Sequence, residues 1–366
     1  GDDGFTSNAM YQAMDLCVSC KGCKRECPTG VDMAAMKVEF LSHYRKEHGL
    51  SLRDRLFAYL PRYAHKLRRV GFLLNLRDQI PGIAKLSEWW LGLSSKRRLP
   101  HWRRDHFVPY VGDTLVREGE REVVLLVDTF NSCFEVENAN AARAVLNAAG
   151  YHVIYPQSTE NGRPLCCGRT FLSNGLLDEA KVEVKLMLAA LMPYVERGVP
   201  IVGLEPSCLL TMRDEYKVLM PGVDADTLAN NVFLLEEFLA TEYKTGRLQL
   251  DLKPIAAKQV LLHGHCHQKA FNVMAPVEKV LSLIPELKVK TIDSSCCGMA
   301  GSFGYEKEHY DISMKMGSLS LFPAVKEADT DVLIVADGTS CRSQIEHGTG
   351  RQAMHVARVL QMALNS

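Results

Sequence analysis

Two cysteine doublets, each followed by glycine, constrain the fold of this 366-residue chain more than any other feature. Adjacent thiols on one loop can both face one metal centre, and each doublet lies between one cysteine upstream and one downstream. The two sets are Cys133, Cys166, Cys167 and Cys208, and Cys266, Cys296, Cys297 and Cys341. From first cysteine to doublet there are 32 intervening residues in one set and 29 in the other, and from doublet to last cysteine 40 and 43. The matching order and spacing indicate a duplicated unit.

Short valine-rich and leucine-rich stretches typical of buried strands precede these cysteines. The predicted strands are Arg121–Asp128, Tyr151–Tyr155 and Pro200–Leu204 in one half, and Lys258–Leu262, Lys288–Ile292 and Asp331–Val335 in the other. Helical patterns separate them over Glu135–Ala149, Leu177–Arg197, Pro276–Leu283 and Tyr310–Ala328. Such alternation predicts two α/β units with parallel sheets, whose ligands bind at the carboxyl ends of the strands.

The second doublet continues into a glycine-rich loop with Gly298, Gly301 and Gly304. Without side chains, the backbone N–H groups of such a loop could approach an anionic cluster and hydrogen-bond its sulfurs. We therefore predict these glycines to be cofactor-binding. The first doublet is followed instead by Arg169 and Phe171, so its set could hold a cluster, zinc or no metal. Reversible thiol chemistry at the doublets is a further alternative.

A cysteine ladder near the start fits the bacterial ferredoxin pattern, with Cys17, Cys20, Cys23 and Cys27-Pro28 separated by two, two and three residues. Thiolates are soft ligands for iron, and these spacings let three thiols surround a cubane cluster while the fourth points away. Zinc is the alternative metal. The fourth cysteine of such a motif ligates another cluster, and no second motif follows. We expect either unusual local ligation by Cys27 or a partner motif upstream of the sequence given.

Other features limit the remaining function classes. Lys plus Arg equals Asp plus Glu at 43 each, so no global field favours nucleic acid, and no apolar run is long enough to span a membrane. Residues 62–104 are locally basic and partly apolar, which indicates a solvated helical face or a docking surface for an acidic partner or membrane. His263, His265 and His267 would share one face of an extended segment, as structural histidines or borrowed metal ligands. No catalytic residue is predicted.

The ladder followed by two doublet repeats resembles iron–sulfur proteins with the duplicated cysteine-rich CCG domain, such as the glycolate oxidase iron–sulfur subunit. The resemblance covers nearly the whole chain. The segments 15–23, 295–304 and 338–348 look closest to the carboxyl-terminal half of bacterial FAD-linked oxidases of the D-2-hydroxyglutarate or D-lactate dehydrogenase type. This sequence departs from the pattern in two ways. It shows neither the flavin domain nor the upstream ferredoxin-type motif, and each repeat ends in a lone cysteine where many CCG domains have CxxC.

The resemblance implies an α/β fold, with a small helical ferredoxin-like segment before two duplicated parallel-sheet CCG units. The expected domains are 1–50 (ferredoxin-like), 51–118 (helical, basic connector), 119–253 (first CCG unit) and 254–366 (second CCG unit). The resemblance also implies 4Fe–4S clusters, with zinc as an option at one CCG site and FAD only in an upstream domain. The expected role is electron transfer from that flavin domain to a quinone or carrier protein during oxidation of a D-2-hydroxy acid. The alternative is a zinc-bearing or thiol-redox scaffold. A reducing cytoplasm is expected, with peripheral attachment to the inner membrane as an option.

Overall fold

Two four-stranded parallel sheets, one in each half of the chain, form the framework of the protein. The structure is a computed structural model that describes residues 6–108, 121–160 and 164–365. The predicted boundary between residues 118 and 119 lies outside the described residues, and the other domain boundaries remain predictions. The α/β class with two parallel sheets is confirmed.

The N-terminal part of the chain is helical. Its elements are α1 (Asn8–Asp15), α2 (Gly22–Glu26), α3 (Met33–His48), α4 (Leu52–Ala58), α5 (Leu60–Tyr63), α6 (Leu76–Gln79) and α7 (Ile83–Leu91), with 3₁₀ helices at Ala64–Arg69 and Gly71–Asn75. Asp32 caps α3 by accepting a hydrogen bond from the Ala35 N–H, and Gly49 follows its last residue. No helix in the described ranges is long and apolar enough to cross a membrane.

The first α/β unit has its strands in the order β2-β1-β3-β4, all parallel. Its elements are β1 (Arg121–Leu126), α8 (Thr129–Cys133), α9 (Val136–Ala148), β2 (Tyr151–Ile154), α10 (Arg169–Ser173), α11 (Leu177–Glu196), β3 (Ile201–Gly203), α12 (Pro206–Arg213), α13 (Glu215–Leu219), α14 (Val223–Asn231), β4 (Val232–Leu234) and α15 (Leu235–Lys244).

The second unit repeats this topology in the order β6-β5-β7-β8. Its elements are β5 (Gln259–Leu262), α16 (Cys266–Ala270), α17 (Met274–Leu281), β6 (Lys288–Thr291), a 3₁₀ helix (Phe303–Tyr305), α18 (Tyr310–Ser318), α19 (Leu321–Glu327), β7 (Leu333–Val335), α20 (Thr339–Thr349), β8 (Ala353–Met354) and α21 (Val356–Ala363). The duplication inferred from cysteine spacing therefore has a structural counterpart.

Each unit has a fourth strand that the sequence pattern did not indicate. β4 has three residues and lies directly between two helices, while β8 has two residues, so neither offers a strand-length apolar run. The helix expected over Tyr310–Ala328 is two helices, which meet at Leu319 and Ser320. The six predicted strands are otherwise present, with ends shifted by at most two residues.

The two units share one apolar core. The side chains of Val123 and Leu125 belong to a buried cluster that also contains Val260 and Leu262 of the second sheet. Helix α9 packs on α21, and α15 packs on α17, so equivalent faces of the two units meet. The neighbouring residues on β1, Val124 and Leu126, face a second cluster formed with α11 and α12. This shared core fixes the carboxyl ends of both sheets relative to each other.

Candidate metal centre

Both cysteine doublets line one cavity of about 250 Å³, at the carboxyl ends of the strands. The cysteines around this cavity come from the ladder and from both sets, and they are Cys17, Cys166, Cys167, Cys208, Cys266, Cys296 and Cys297. The twelve cysteines of the chain are all free thiols in the structure. The fold thus brings thiols that are distant in sequence to one buried place.

The two doublets have the same local backbone geometry. Gly168 and Gly298 adopt positive φ values of 80° and 89°, and their N–H groups donate to the sulfurs of Cys166 (3.3 Å) and Cys296 (3.4 Å). A Cβ at Gly298 would lie 2.5 Å from the Ser313 carbonyl oxygen, so glycine is required there for space as well as conformation. This turn presents both sulfurs of a doublet to the same side.

The other two glycines of the second loop use their N–H groups within the protein. The Gly301 N–H donates to the Ser340 hydroxyl (3.3 Å), and the Gly304 N–H donates to the Met299 carbonyl (2.9 Å). Gly301 lines the cavity, whereas Gly304 packs against Met299 and Ser313. Direct contact with a cofactor therefore stays a prediction for Gly298, Gly301 and Gly304.

The second cysteine set is brought together as a continuous series. The four thiols are neighbours in the order Cys266, Cys296, Cys297 and Cys341, each close enough to the next to shift its pKa. The hydrogen bond to Cys296, followed by burial, raises the pKa of Cys266. Four converging soft donors are a suitable ligand set for iron or zinc, and metal binding would displace the thiol protons.

His263 adds a nitrogen to this set. Its Nδ1 lies 2.9 Å from the Ser294 hydroxyl, and its fully buried Nε2 has no hydrogen-bond partner among the described residues. One ring nitrogen of His263 and the sulfurs of Cys297 and Cys341 lie within 4.8 Å of one another. Burial keeps the pKa of His263 well below its usual value, so the ring is neutral and can offer a lone pair.

The three alternating histidines do not share one face, because helix α16 begins at Cys266. His265 caps that helix, with Nδ1 accepting from the His267 N–H (3.1 Å). His267 lies within the helix, and its Nε2 is 3.0 Å from the Ser19 carbonyl of the ladder. Only His263 among them faces the doublet sulfurs closely enough to complete a candidate metal group.

The first set is brought together only in part. Hydrogen bonds from Cys166 and Cys208 lower the pKa of Cys167, while the same contacts raise the pKa values of its two partners. Cys133 lies apart from these three thiols, in an apolar cluster with Ala64 and Phe134. Burial raises the pKa of Cys133 to about 11. The structure therefore groups three thiols at the first doublet and four at the second.

The ladder contributes Cys17, Val18 and Ser19 to the lining of the cavity. Burial raises the pKa of Cys20 most, and charges on Cys266, Cys17 and Cys23 raise it further, so these four thiols are neighbours. Cys27 points elsewhere, with its sulfur 3.1 Å from the Thr29 hydroxyl. Ligation by Cys27, locally or at another cluster, stays a prediction.

A buried lysine attaches the ladder to the first unit, and sequence reasoning did not identify it. Lys21 is 2% exposed and pairs with Asp32 (3.0 Å), Asp214 (2.7 Å) and Glu215 (3.2 Å). Its φ of 59° is unusual for a residue with a side chain, and it turns the chain between Cys20 and Cys23. A lysine inside a cysteine ladder gives no sequence signal of the contact with the first unit, because the acidic partners there are distant in the chain.

Comparisons with known proteins agree with this geometry. Residues 260–346 match the family model of the cysteine-rich CCG domain. The chain is 26% identical to D-2-hydroxyglutarate dehydrogenase of Escherichia coli K12, over 97% of this chain and 34% of that protein. It is 27% identical to one of the subunits of anaerobic glycerol-3-phosphate dehydrogenase from the same organism, over 80% of this chain and 72% of that subunit. Lactate utilization protein A 2 of Bacillus cereus 03BB102 is 24% identical, over 67% of this chain and 99% of that protein.

The chain thus spans about a third of the length of the D-2-hydroxyglutarate dehydrogenases that it matches. The resemblance inferred from the ladder and the doublets is confirmed by these matches.

Proposed function

We propose that this chain, whose second unit is a CCG-type cysteine-rich domain, is an iron–sulfur electron-transfer module of a flavin-dependent oxidoreductase. The observation that carries the proposal is the convergence of the ladder, the first doublet and the second doublet on one cavity. Packing alone would not require three separate cysteine groups to face the same space. Electron carriers, in contrast, must lie close together.

The residues present fit such cofactors. We propose that Cys266, Cys296, Cys297 and Cys341 hold one cluster, with His263 beside them, and that Cys17, Cys20 and Cys23 contribute to another. The unpartnered Nε2 of His263 supports the first assignment, because a buried polar atom normally has a partner. Bound iron–sulfur clusters would supply one-electron transfer.

The protein's own residues would position and shield these centres. Ser19 binds both units through its carbonyl, which lies 3.0 Å from His267 Nε2 and 3.5 Å from Arg169 Nη2. This contact holds the ladder over the junction of the units and keeps Cys20 beside Cys266. Five of the cysteines around the cavity are buried and would lie shielded from bulk solvent, namely Cys166, Cys167, Cys208, Cys296 and Cys297.

Zinc remains the second candidate at the first set. Three thiols converge there, and Cys133 lies in an apolar cluster instead of beside them. A site with fewer protein thiols could hold zinc with a further oxygen or nitrogen ligand. If zinc occupied every site, the chain would be a docking scaffold without electron transfer.

The proposed electron donor is a flavin domain that oxidises a 2-hydroxy acid of the D-2-hydroxyglutarate, D-lactate or glycolate class. The matched D-2-hydroxyglutarate dehydrogenases support this choice, since this chain aligns with about a third of their length. The acceptor would be a quinone or a carrier protein.

We also propose peripheral binding to an anionic membrane surface through the connector. The side chains of Trp89 and Trp90 on α7 are 81% and 71% exposed, and Leu86 is 59% exposed. Arg68, Arg69 and Arg104 form a basic depression in the same connector. Exposed indole rings combined with basic side chains are typical of surfaces that insert shallowly among anionic lipid headgroups.

Vesicle flotation tests the membrane proposal. The protein should float with phosphatidylglycerol vesicles and not with phosphatidylcholine vesicles, and Trp89→Ala with Trp90→Ala should abolish flotation. Val218→Ala removes an apolar side chain that is similarly exposed on the first unit and serves as the control. Equal flotation of the tryptophan and control variants would contradict the proposal.

Anaerobic purification tests the central proposal. Iron and acid-labile sulfide should copurify with the chain, and the visible absorption should bleach on reduction and return on oxidation. Zinc without iron or sulfide would instead favour the scaffold. Electron transfer is then measured directly, as reduction of the chain by a reduced flavoprotein of the 2-hydroxy-acid dehydrogenase class.

A further inference from the structure

Arg97 is a buried cation with weak polar contacts. Its side chain is 2% exposed, and within the described ranges its Nε and Nη1 atoms have no hydrogen-bond partner. Nη2 lies 3.4 Å from the Ser313 hydroxyl and 3.4 Å from the Met314 sulfur, both weak contacts for a charged donor. Among the residues that the structure describes, no carboxylate pairs with it. The Tyr310 ring, whose centroid lies 5.4 Å from the guanidinium carbon, makes a cation–π contact but carries no full negative charge. A buried cation without a counter-charge is unfavourable.

Other buried arginines in this protein are satisfied. Arg77, from the same connector, is 7% exposed, pairs with Asp78 and donates to the carbonyls of Ser94 (2.8 Å) and Arg97 (3.0 Å). Arg342 is 5% exposed and binds Glu135 through two nitrogens. The fold therefore supplies anions to buried guanidinium groups elsewhere, which makes the unpaired Arg97 exceptional.

The second doublet lies just beyond the residues that Arg97 touches. The Gln344 amide donates both to the Ser313 carbonyl (2.9 Å) and to the Cys297 carbonyl (2.9 Å), and Gly298 packs directly on Ser313. Burial lowers the pKa of Arg97, whereas charges on Tyr305, Tyr310 and Cys297 oppose this change. Once metal binding deprotonates the thiols, the doublet becomes an anionic group close to this guanidinium.

We propose that Arg97 is the counter-charge of the second cysteine site and a positioning residue for electron transfer through it. The inference rests on metal binding at this site as proposed above. Taking one electron from the reduced flavin partner makes the site more negative by one charge. A fixed guanidinium stabilises that added charge in a low-dielectric interior, so it favours the reduced form.

The test uses Arg97→Met, Arg97→Lys and the control Lys96→Met in the full chain, reconstituted anaerobically. Lys96 is a neighbouring cation, but it is 61% exposed and pairs with Asp311, so its charge is screened. We expect Arg97→Met to shift the one-electron equilibrium of the second site about tenfold toward the oxidised form, which is ~59 mV in midpoint potential. Arg97→Lys should recover part of the shift, and Lys96→Met should show almost none.

Urea unfolding of metal-free protein separates this role from ordinary packing. Without thiolate charge, Arg97→Met removes a buried, unpaired cation and should be at least as stable as the wild type. Equal midpoint potentials in Arg97→Met and Lys96→Met, or destabilisation of metal-free Arg97→Met, would overturn the inference while leaving the proposed function intact.

A wild type that binds zinc instead of iron would overturn the proposed function alone. The role of Arg97 as a counter-charge is then tested by the zinc affinity of each variant. Arg97→Met should lower this affinity about tenfold, and Lys96→Met should leave it unchanged. Equal zinc affinities in the two variants would contradict the role of Arg97, and absence of any metal from the wild type would contradict both proposals.

Discussion

The two α/β units have the same strand order but surround their doublets with different side chains. Gly168 and Gly298 make the same turn and the same N–H to sulfur contact. Behind them, the Tyr216 hydroxyl donates to the Cys167 carbonyl (3.2 Å), whereas the Gln344 amide donates to the Cys297 carbonyl (2.9 Å). The backbone needed to present two sulfurs is common to both units, while the surrounding chemistry differs.

The helices that follow β1 and β5 show the difference most clearly. In the first unit Asp128 caps α8, and Cys133 is the last residue of that short helix. In the second unit His265 caps α16, and Cys266 is its first residue. The same strand-to-helix junction therefore delivers a thiol to the cavity in the second unit and to an apolar cluster in the first. The family model likewise matches residues 260–346 of the second unit.

The largest effect should come from the doublets themselves. Cys297→Ser replaces a soft thiolate at the centre of the second series by a hard hydroxyl, so we expect loss of the metal at that site. Cys167→Ser should remove only what the first set holds. Iron, sulfide and zinc analysis of both variants measures the two sites separately.

The sheets should stay folded in both variants, because the shared apolar core does not include the doublets. Far-ultraviolet circular dichroism and thermal unfolding of the metal-free proteins provide the control. Unchanged metal content and spectrum in Cys297→Ser would contradict the assignment of the second site. Simultaneous loss from both sites in either variant would mean that the two units bind one shared cofactor.

The junctions between the fourth strands and the helices that follow them predict a smaller effect, which concerns stability. In the second unit His355 is fully used, with Nδ1 accepting from the Ala357 N–H (3.0 Å) and Nε2 lying 3.1 Å from the Leu204 carbonyl. In the first unit Glu236 is 1% exposed, and neither carboxyl oxygen has a hydrogen-bond partner in the part of the chain that the structure describes. Burial first, and then the charge of Asp337, raise the pKa of Glu236 well above its usual value.

Glu236→Gln should therefore change how stability depends on pH. The folded protein holds the Glu236 proton more tightly than the unfolded chain does. Below the unfolded pKa near 4.5 the carboxyl group is protonated in both states, so its ionisation does not lower the free energy of unfolding there. As pH rises above that value, the wild type loses stability. Glutamine cannot ionise, so the metal-free variant should be about 1–3 kcal/mol more stable at about pH 8 and similar at about pH 4. Urea unfolding at both pH values measures this, and parallel pH profiles of variant and wild type would refute it.

The sequence predicted the strands and the duplicated topology better than it predicted the contacts of individual side chains. Six strands and the duplicated topology followed from valine-rich runs and cysteine spacing, because these patterns do not depend on neighbours. The position of Cys133 could not follow, since the spacing does not reveal whether a cysteine begins or ends a one-turn helix. The roles of Lys21 and Arg97 depend on partners 193 and 216 residues away in the chain, so no local pattern carries them.

The smallest effect on metal content should come from substituting Cys133, which the cysteine spacing predicts to be a metal ligand of the first set. The matched pair is Cys133→Ala and Cys266→Ala, two cysteines at corresponding places in the duplicated units. Cys133 packs with Ala64 and Phe134 in a cluster that Trp102 covers, and burial raises its pKa to about 11, so its thiolate is unfavourable. Cys133→Ala should keep the metal content of the wild type and lose about 1 kcal/mol of stability, as expected for trimming a small buried hydrophobe.

Cys266→Ala should instead lose metal from the second site, because Cys266 begins the series of contacting thiols. Metal analysis and urea unfolding of both variants give the comparison. If Cys133→Ala also loses metal from the first set, the turn from Asp128 to Cys133 must rearrange when metal binds. The two units would then be alike in their loaded state and would differ only without metal, because α8 is a single short helix that could unwind to carry its terminal thiol to the cavity.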